Sequence, residues 1–161
     1  MNLKIVGALS ALVLLSACAQ KKAETAAATG TGNTVAAPSI APGSEEDLAK
    51  NVGDRVFFAF NKSSLNSDDK GTLDRQAAWL AKYPNVNVQV AGNCDERGTE
   101  EYNIALGQRR ANAARDYLVA KGTAKSRITT ISYGKDRPQP DALGHTEADW
   151  AKNRNAITSV K

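Results

Sequence analysis

Between Arg55 and Val160 the apolar residues of this chain change their period repeatedly, from the two-residue alternation of a strand to the three-to-four spacing of a helix and back. That alternation constrains the fold more than any other feature. Arg55-Val56-Phe57-Phe58-Ala59-Phe60 reads as a first strand, being rich in aromatic and β-branched residues. Asn61 to Ser67 is polar turn material, and Ser67 is the expected N-cap of a helix over about Asp68 to Lys82, with Leu73, Ala77, Leu80 and Ala81 on one face. Pro84 blocks its continuation. Val86-Asn87-Val88-Gln89-Val90 alternates strictly and predicts a strand with one buried face, ended by Gly92.

A turn-rich segment, Asn93 to Thr99, then leads into a long helix from about Glu100 to Lys121, with Tyr102, Leu106, Ala113 and Tyr117 as core candidates and Gly122 as its stop. Ile128 to Ser132 is a third strand, and Tyr133-Gly134 turns the chain into a Pro-containing loop through Gly144. Thr146 is placed to cap a short helix through Trp150 and Lys152, and Ala156 to Val160 is the last strand. Strands separated by helices predict an α/β sandwich, a mixed sheet of about four strands with the helices on one face.

The region before this domain has a different character. Lys4 precedes an apolar run, Ile5 to Leu15, too short to span a bilayer, which is the pattern of an export signal. Leu15-Ser16-Ala17-Cys18 resembles the lipobox of bacterial lipoproteins, which makes residues 1–17 a signal peptide and Cys18 the acylated first residue of the mature chain. Several acyl chains would hold such a protein durably on a membrane. In lipobox proteins an Asp after the cysteine favours the inner membrane; Ala19 stands here, which implies the outer one. Residues 18–44 are otherwise Ala, Thr, Gly, Ser and Pro with few large apolar side chains, the composition of a flexible tether able to reach about 90 Å when extended. The domain proper is expected over residues 45–161. With Cys18 lipidated, Cys94 has no partner for a disulfide, so stability has to come from the core.

Net charge of +4 does not indicate nucleic acid, because basic and acidic residues are interleaved throughout. The stretch from Gly92 to Ala111 instead concentrates charge in a turn beside a helix. Such a cluster suits a small zwitterion, its ammonium on a carboxylate and its carboxylate in an arginine fork. Asp95, leaving the second strand, and Arg110, on the following helix and four residues beyond Leu106, are the favoured pair. The residues alone leave open an intramolecular salt bridge or two solvated charges. Cys94, without a second cysteine nearby, reads as a small packing residue, and Trp79 and Trp150 as core or boundary residues. His145 is the single histidine, too few ligands for a zinc hydrolase, and neither a metal nor any other cofactor is expected.

From about Val52 to Val160 the chain closely resembles the OmpA-like domain family, and within it the lipoproteins that associate with peptidoglycan. Asp95-Glu96-Arg97-Gly98-Thr99, Tyr102-Asn103, Leu106 and Arg109-Arg110-Ala111 carry the resemblance. It implies that Asp95 and Arg110 bind the free ammonium and carboxylate of meso-diaminopimelate in the peptidoglycan stem peptide, with supporting contacts from Phe60, Asn61, Arg97, Thr99 and Leu106. It also implies an outer-membrane protein, lipid-anchored and facing the periplasm, that takes part in the Tol system and engages its periplasmic β-propeller protein. Departures are Asn93 where relatives often have His, Ala59 and Asn61 where they commonly have acids, and Asn155 where a second arginine usually follows Arg154. The last puts only a peripheral charge contact in question. An enzyme acting on the wall through Asp95 or Glu96 would need a nucleophile with its base, which the sequence does not display. An envelope interaction module with little wall binding is the remaining alternative.

Overall fold

The structure is a computed structural model that describes residues 40–161. The signal peptide, the lipobox with Cys18 and nearly all of the tether lie outside the described residues. Helix α1 spans Glu45–Asp47, capped by Ser44, and runs into a π-helical turn over Leu48–Val52. Strands β1 (Arg55–Phe57), β2 (Val88–Asn93), β3 (Ile128–Gly134) and β4 (Asn155–Val160) alternate with helices α2 (Ser67–Lys82), α3 (Glu100–Ala120) and α4 (Glu147–Asn153).

The strands form one mixed sheet in the order β1-β4-β2-β3. β2 and β3 are parallel, and β4 enters between β1 and β2, antiparallel to both. Successive crossovers that step the same way across a sheet place their helices on the same face when both are right-handed. Accordingly Leu73, Ala77 and Leu80 of α2 share one core with Ala111, Ala114 and Leu118 of α3, packed on Val56, Val88, Val90, Ile128 and Ala156 of the sheet. Leu48 closes the core from the N-terminal side, fixed by the Trp79 indole N–H, which donates to Asp47 at 2.8 Å.

Local chemistry explains where the elements depart from the sequence expectations. β1 stops at Phe57, not Phe60, because its partner β4 begins only at Asn155. The Phe58 N–H still donates to the Arg154 carbonyl, but the Arg154 N–H donates to the Trp150 carbonyl as the end of α4, the Phe58 carbonyl accepts instead from Arg154 Nε, and the Ala59 carbonyl accepts from Arg110. The cap of α2 is Asn66, one residue before Ser67: its side chain accepts from the Asp69 N–H while Asp69 accepts from the Asn66 N–H, a reciprocal box. Of the α3 core candidates Leu106 is buried, whereas Ala113 and Tyr117 are half-buried and Tyr102 is exposed; the buried stripe runs instead through Asn103, Gly107, Arg110, Ala111, Ala114 and Leu118.

Gly92 does not end β2 but lies inside it. A Cβ there would sit 1.8 Å from the carbonyl oxygen of Gly107, and one on Gly107 would sit 2.3 Å from Ser132 Oγ. The two glycines allow α3 to lie directly on the sheet, which brings its N-terminal half over the ends of β2 and β3. Gly92→Ala should therefore destabilise the protein by about 3 kcal/mol through overpacking against backbone. Gly71→Ala, in α2 with open space around it, should be neutral or stabilising by up to about 1 kcal/mol. Urea melts of the two variants check this, and equal midpoints would refute the close approach.

Candidate functional site

The site forms where β1, β2 and β3 end and α3 begins, the edge at which open α/β sheets commonly receive ligands. Beyond β1 the chain turns at Asn61, the one described non-glycine residue with positive φ, at 56°, a conformation asparagine tolerates. Its side-chain oxygen accepts from the Tyr102 hydroxyl, so this Asn keeps the acceptor an acid would supply but not the charge. Beyond β2, Cys94 to Gly98 loop into α3, whose N-cap Thr99 accepts from the Tyr102 N–H. The Asn103 side chain donates to the Arg97 carbonyl and closes that loop.

Between the two loops lies a pocket of about 170 Å³ lined by Phe60, Asn61, Cys94, Asp95, Arg97, Gly98, Tyr102, Asn103, Leu106 and Arg110. Every binding residue expected from the sequence lines it except Thr99, which acts as the helix cap. Cys94, buried and with a thiol pushed up chiefly by that burial, is part of the floor.

Arg110 is not a solvated charge: it is 0% exposed. Its Nε donates to the Lys62 carbonyl at 2.9 Å, Nη1 to the Asn93 carbonyl at 2.8 Å and to Cys94 Sγ at 3.4 Å, and Nη2 to the Ala59 carbonyl at 3.3 Å. These take four of the roughly five N–H donors of a guanidinium. The side chain thus ties the β1 loop to the end of β2, and it has no acidic partner among the described residues. Burial draws its pKa below the usual arginine value. An uncompensated buried cation in a pocket wall favours an anion opposite it.

Asp95 is also buried and sits in a closed ring of charges. Arg97 Nη2 lies 2.6 Å from its Oδ2, Arg154 Nη1 3.3 Å from the same oxygen, Arg154 Nη2 2.8 Å from Glu147, and Arg97 Nη1 3.6 Å from Glu147. The Arg97 guanidinium is stacked between the rings of Phe60 and Trp150, 4.1 Å from each centroid. Burial raises the Asp95 pKa, but the bonds from the Arg97 side chain and backbone and from Arg154 outweigh it, so the carboxyl lies below its ordinary range. With Arg110 included, three guanidiniums face two carboxylates, and this cluster carries one net positive charge.

Trp150 and Glu147 escaped the sequence reading as site residues, and Arg154 entered it only beside the departure at Asn155. They lie about fifty positions beyond Asp95, on α4 and its C-terminus, and no spacing rule connects them to it. Arg154 is nearly buried and also donates to the Phe58 carbonyl at 2.9 Å, a structural role. Asn155 is not peripheral as expected: it is 0% exposed, and its side-chain oxygen accepts from Asn93 at 2.8 Å, so the two departures from the family pattern meet in the interior. His145 is exposed and contacts Glu96 at 2.8 Å.

Residues 57–154 match the OmpA family. The chain is 48% identical over 151 residues to the peptidoglycan-associated lipoprotein of Rhizobium meliloti, covering 94% of this chain and 84% of that one. It is 48% identical over 153 residues to the peptidoglycan-associated lipoprotein of Mesorhizobium japonicum, covering 95% and 89%. The crystal structure of the peptidoglycan-associated lipoprotein from Burkholderia pseudomallei superposes with a TM-score of 0.66 at 37% identity, covering 71% of this chain and all of that one.

Two outcomes follow from the site's construction. Arg110→Ala should lower stability by about 3 kcal/mol or more, since three carbonyls lose a charged donor; a thermal melt checks it, and an unchanged midpoint would contradict the buried role. Because the folded Asp95 pKa is depressed, its contribution is complete above the unfolded value of about 3.9 and fades as pH falls through the lower, folded one. Asp95→Asn should accordingly cost stability at pH 7 and progressively less in acid, measured by urea melts across pH.

Proposed function

We propose, from the premise that this chain belongs to the OmpA family, that it holds peptidoglycan non-covalently through the meso-diaminopimelate of stem peptides. The observation that carries this reading is the pocket in which a buried, acid-free Arg110 and the carboxylate of Asp95 line one cavity with Phe60, Asn61, Arg97 and Leu106. The free end of a stem diaminopimelate is a zwitterion, and a cluster with one excess positive charge suits its carboxylate first. Arg110 is fully buried with four of its roughly five N–H donors engaged, so in this arrangement it acts on the ligand's carboxylate through its field and not as a bidentate fork. Leu106 and Phe60 supply apolar contact for the methylenes. Thr99 acts through the helix start rather than by touch.

With Cys18 lipidated and residues 18–44 as tether, the chain links the outer membrane to the wall from the periplasmic side. Its place in the Tol system, and its contact with that system's periplasmic β-propeller protein, rest on the family resemblance and on the order of lipobox, tether and domain, since the relatives' names speak only of a lipoprotein associated with peptidoglycan. Those names describe association, not a reaction.

Co-sedimentation of the purified chain with purified peptidoglycan tests the reading. Phe60 is 56% exposed, so Phe60→Ala should leave near-ultraviolet circular dichroism intact while weakening wall binding about tenfold. A folded wild-type chain that stays in the supernatant would defeat the wall-binding reading and leave the propeller protein as the principal partner.

A further inference from the structure

The carboxylate of Asp95 is already full. Oδ1 accepts from the Arg97 backbone N–H and Nε, both at 3.2 Å, and Oδ2 from Arg97 Nη2 at 2.6 Å and Arg154 Nη1 at 3.3 Å. A carboxylate offers about four lone-pair sites. An ammonium that reaches Asp95 therefore replaces a donor and does not join those present.

The donors are not equally replaceable. Arg154 is 6% exposed and anchored at its other nitrogens to the Phe58 carbonyl and Glu147. Arg97 has a 31% exposed side chain, and its Nη1 already faces Glu147 at 3.6 Å. The rings of Phe60 and Trp150 hold its guanidinium from both sides. Two flat faces fix the plane of a guanidinium but permit it to slide within that plane.

We propose that Arg97 is a displaceable stand-in for the ligand's ammonium: on binding, the ammonium takes the places of the Arg97 side chain on Asp95, and Arg97 slides between Phe60 and Trp150 onto Glu147. This rests on the zwitterion reading of the pocket given above. Free, the site keeps its buried carboxylate paired; bound, it exchanges one cation for another and the ring of charges stays closed through Glu147. A neutral analogue that cannot take over at Asp95 leaves Arg97 in place. Glu147 and Trp150 are positioning residues in this scheme, acting on the ligand through Arg97.

The test is calorimetric titration of the whole chain in detergent with two probes. One is a stem tripeptide ending in meso-diaminopimelate; the other carries 2-aminopimelate there, the same chain without the distal ammonium. The ratio of the two affinities measures what the ammonium contributes. In Arg97→Gln, where nothing competes for the side-chain places on Asp95, that ratio should rise about tenfold over wild type. In Glu147→Gln, whose side chain is 64% exposed and spares the core, it should fall several-fold, roughly the value of losing one charged contact. Trp150 emission should change with the first probe and not the second, while the buried Trp79 stays constant. Equal ratios in wild type and Arg97→Gln would overturn the exchange while the pocket assignment stood. Wild type binding both probes equally would show that the ammonium does not meet Asp95. Wild type binding neither would remove the zwitterion reading itself, and the exchange with it.

Discussion

The Arg110 guanidinium holds the pocket edge of this domain together. Three backbone carbonyls, from Ala59, Lys62 and Asn93, converge on it from two segments that share no hydrogen-bonded ladder with each other, since β4 lies between β1 and β2. Without that cation the loop after β1 would carry unsatisfied carbonyls against the sheet end, which is costly in a buried place. One residue therefore serves two ends: it organises the pocket walls and supplies the positive field within them.

Around it the structure separates two kinds of charge. Arg110 has donors engaged but no acid opposite, whereas Asp95 is neutralised twice over by Arg97 and Arg154. The pocket thus presents a cation with no acid opposite it and a carboxylate that is already paired. Arg97 is the member of the ring with freedom to move, because aromatic faces and not backbone acceptors hold its guanidinium on either side.

Much of the fold was legible because hydrophobic period is a local property. The order of elements, the four strands, the one-sided helices and the cap at Thr146 follow from residues within a few positions of one another, whereas the cap at Thr99 was seen only in the structure. Boundaries drifted where a distant group intervened. β1 lost its last residues to Arg154, whose N–H belongs to α4, and to Arg110, and β2 ran through Gly92 because that glycine answers to Gly107, fifteen positions away, and not to a turn.

The site divides in the same way. Asp95, Arg97, Leu106 and Arg110 stood out in the sequence because they lie in one short, charge-dense segment whose pattern resembles a family. That Arg110 is buried, that Asp95 is saturated, that Asn93 and Asn155 bond to each other, and that Trp150, Glu147 and Arg154 complete the ring could not be read there. Such contacts depend on β4 inserting between β1 and β2, which leaves α4 and Arg154 in contact with the Asp95 loop. The sequence by itself determined which side chains are available and on which elements they ride. Only the tertiary structure decided which of those charges face one another, because pairing depends on distances that the strand order sets and local spacing does not encode.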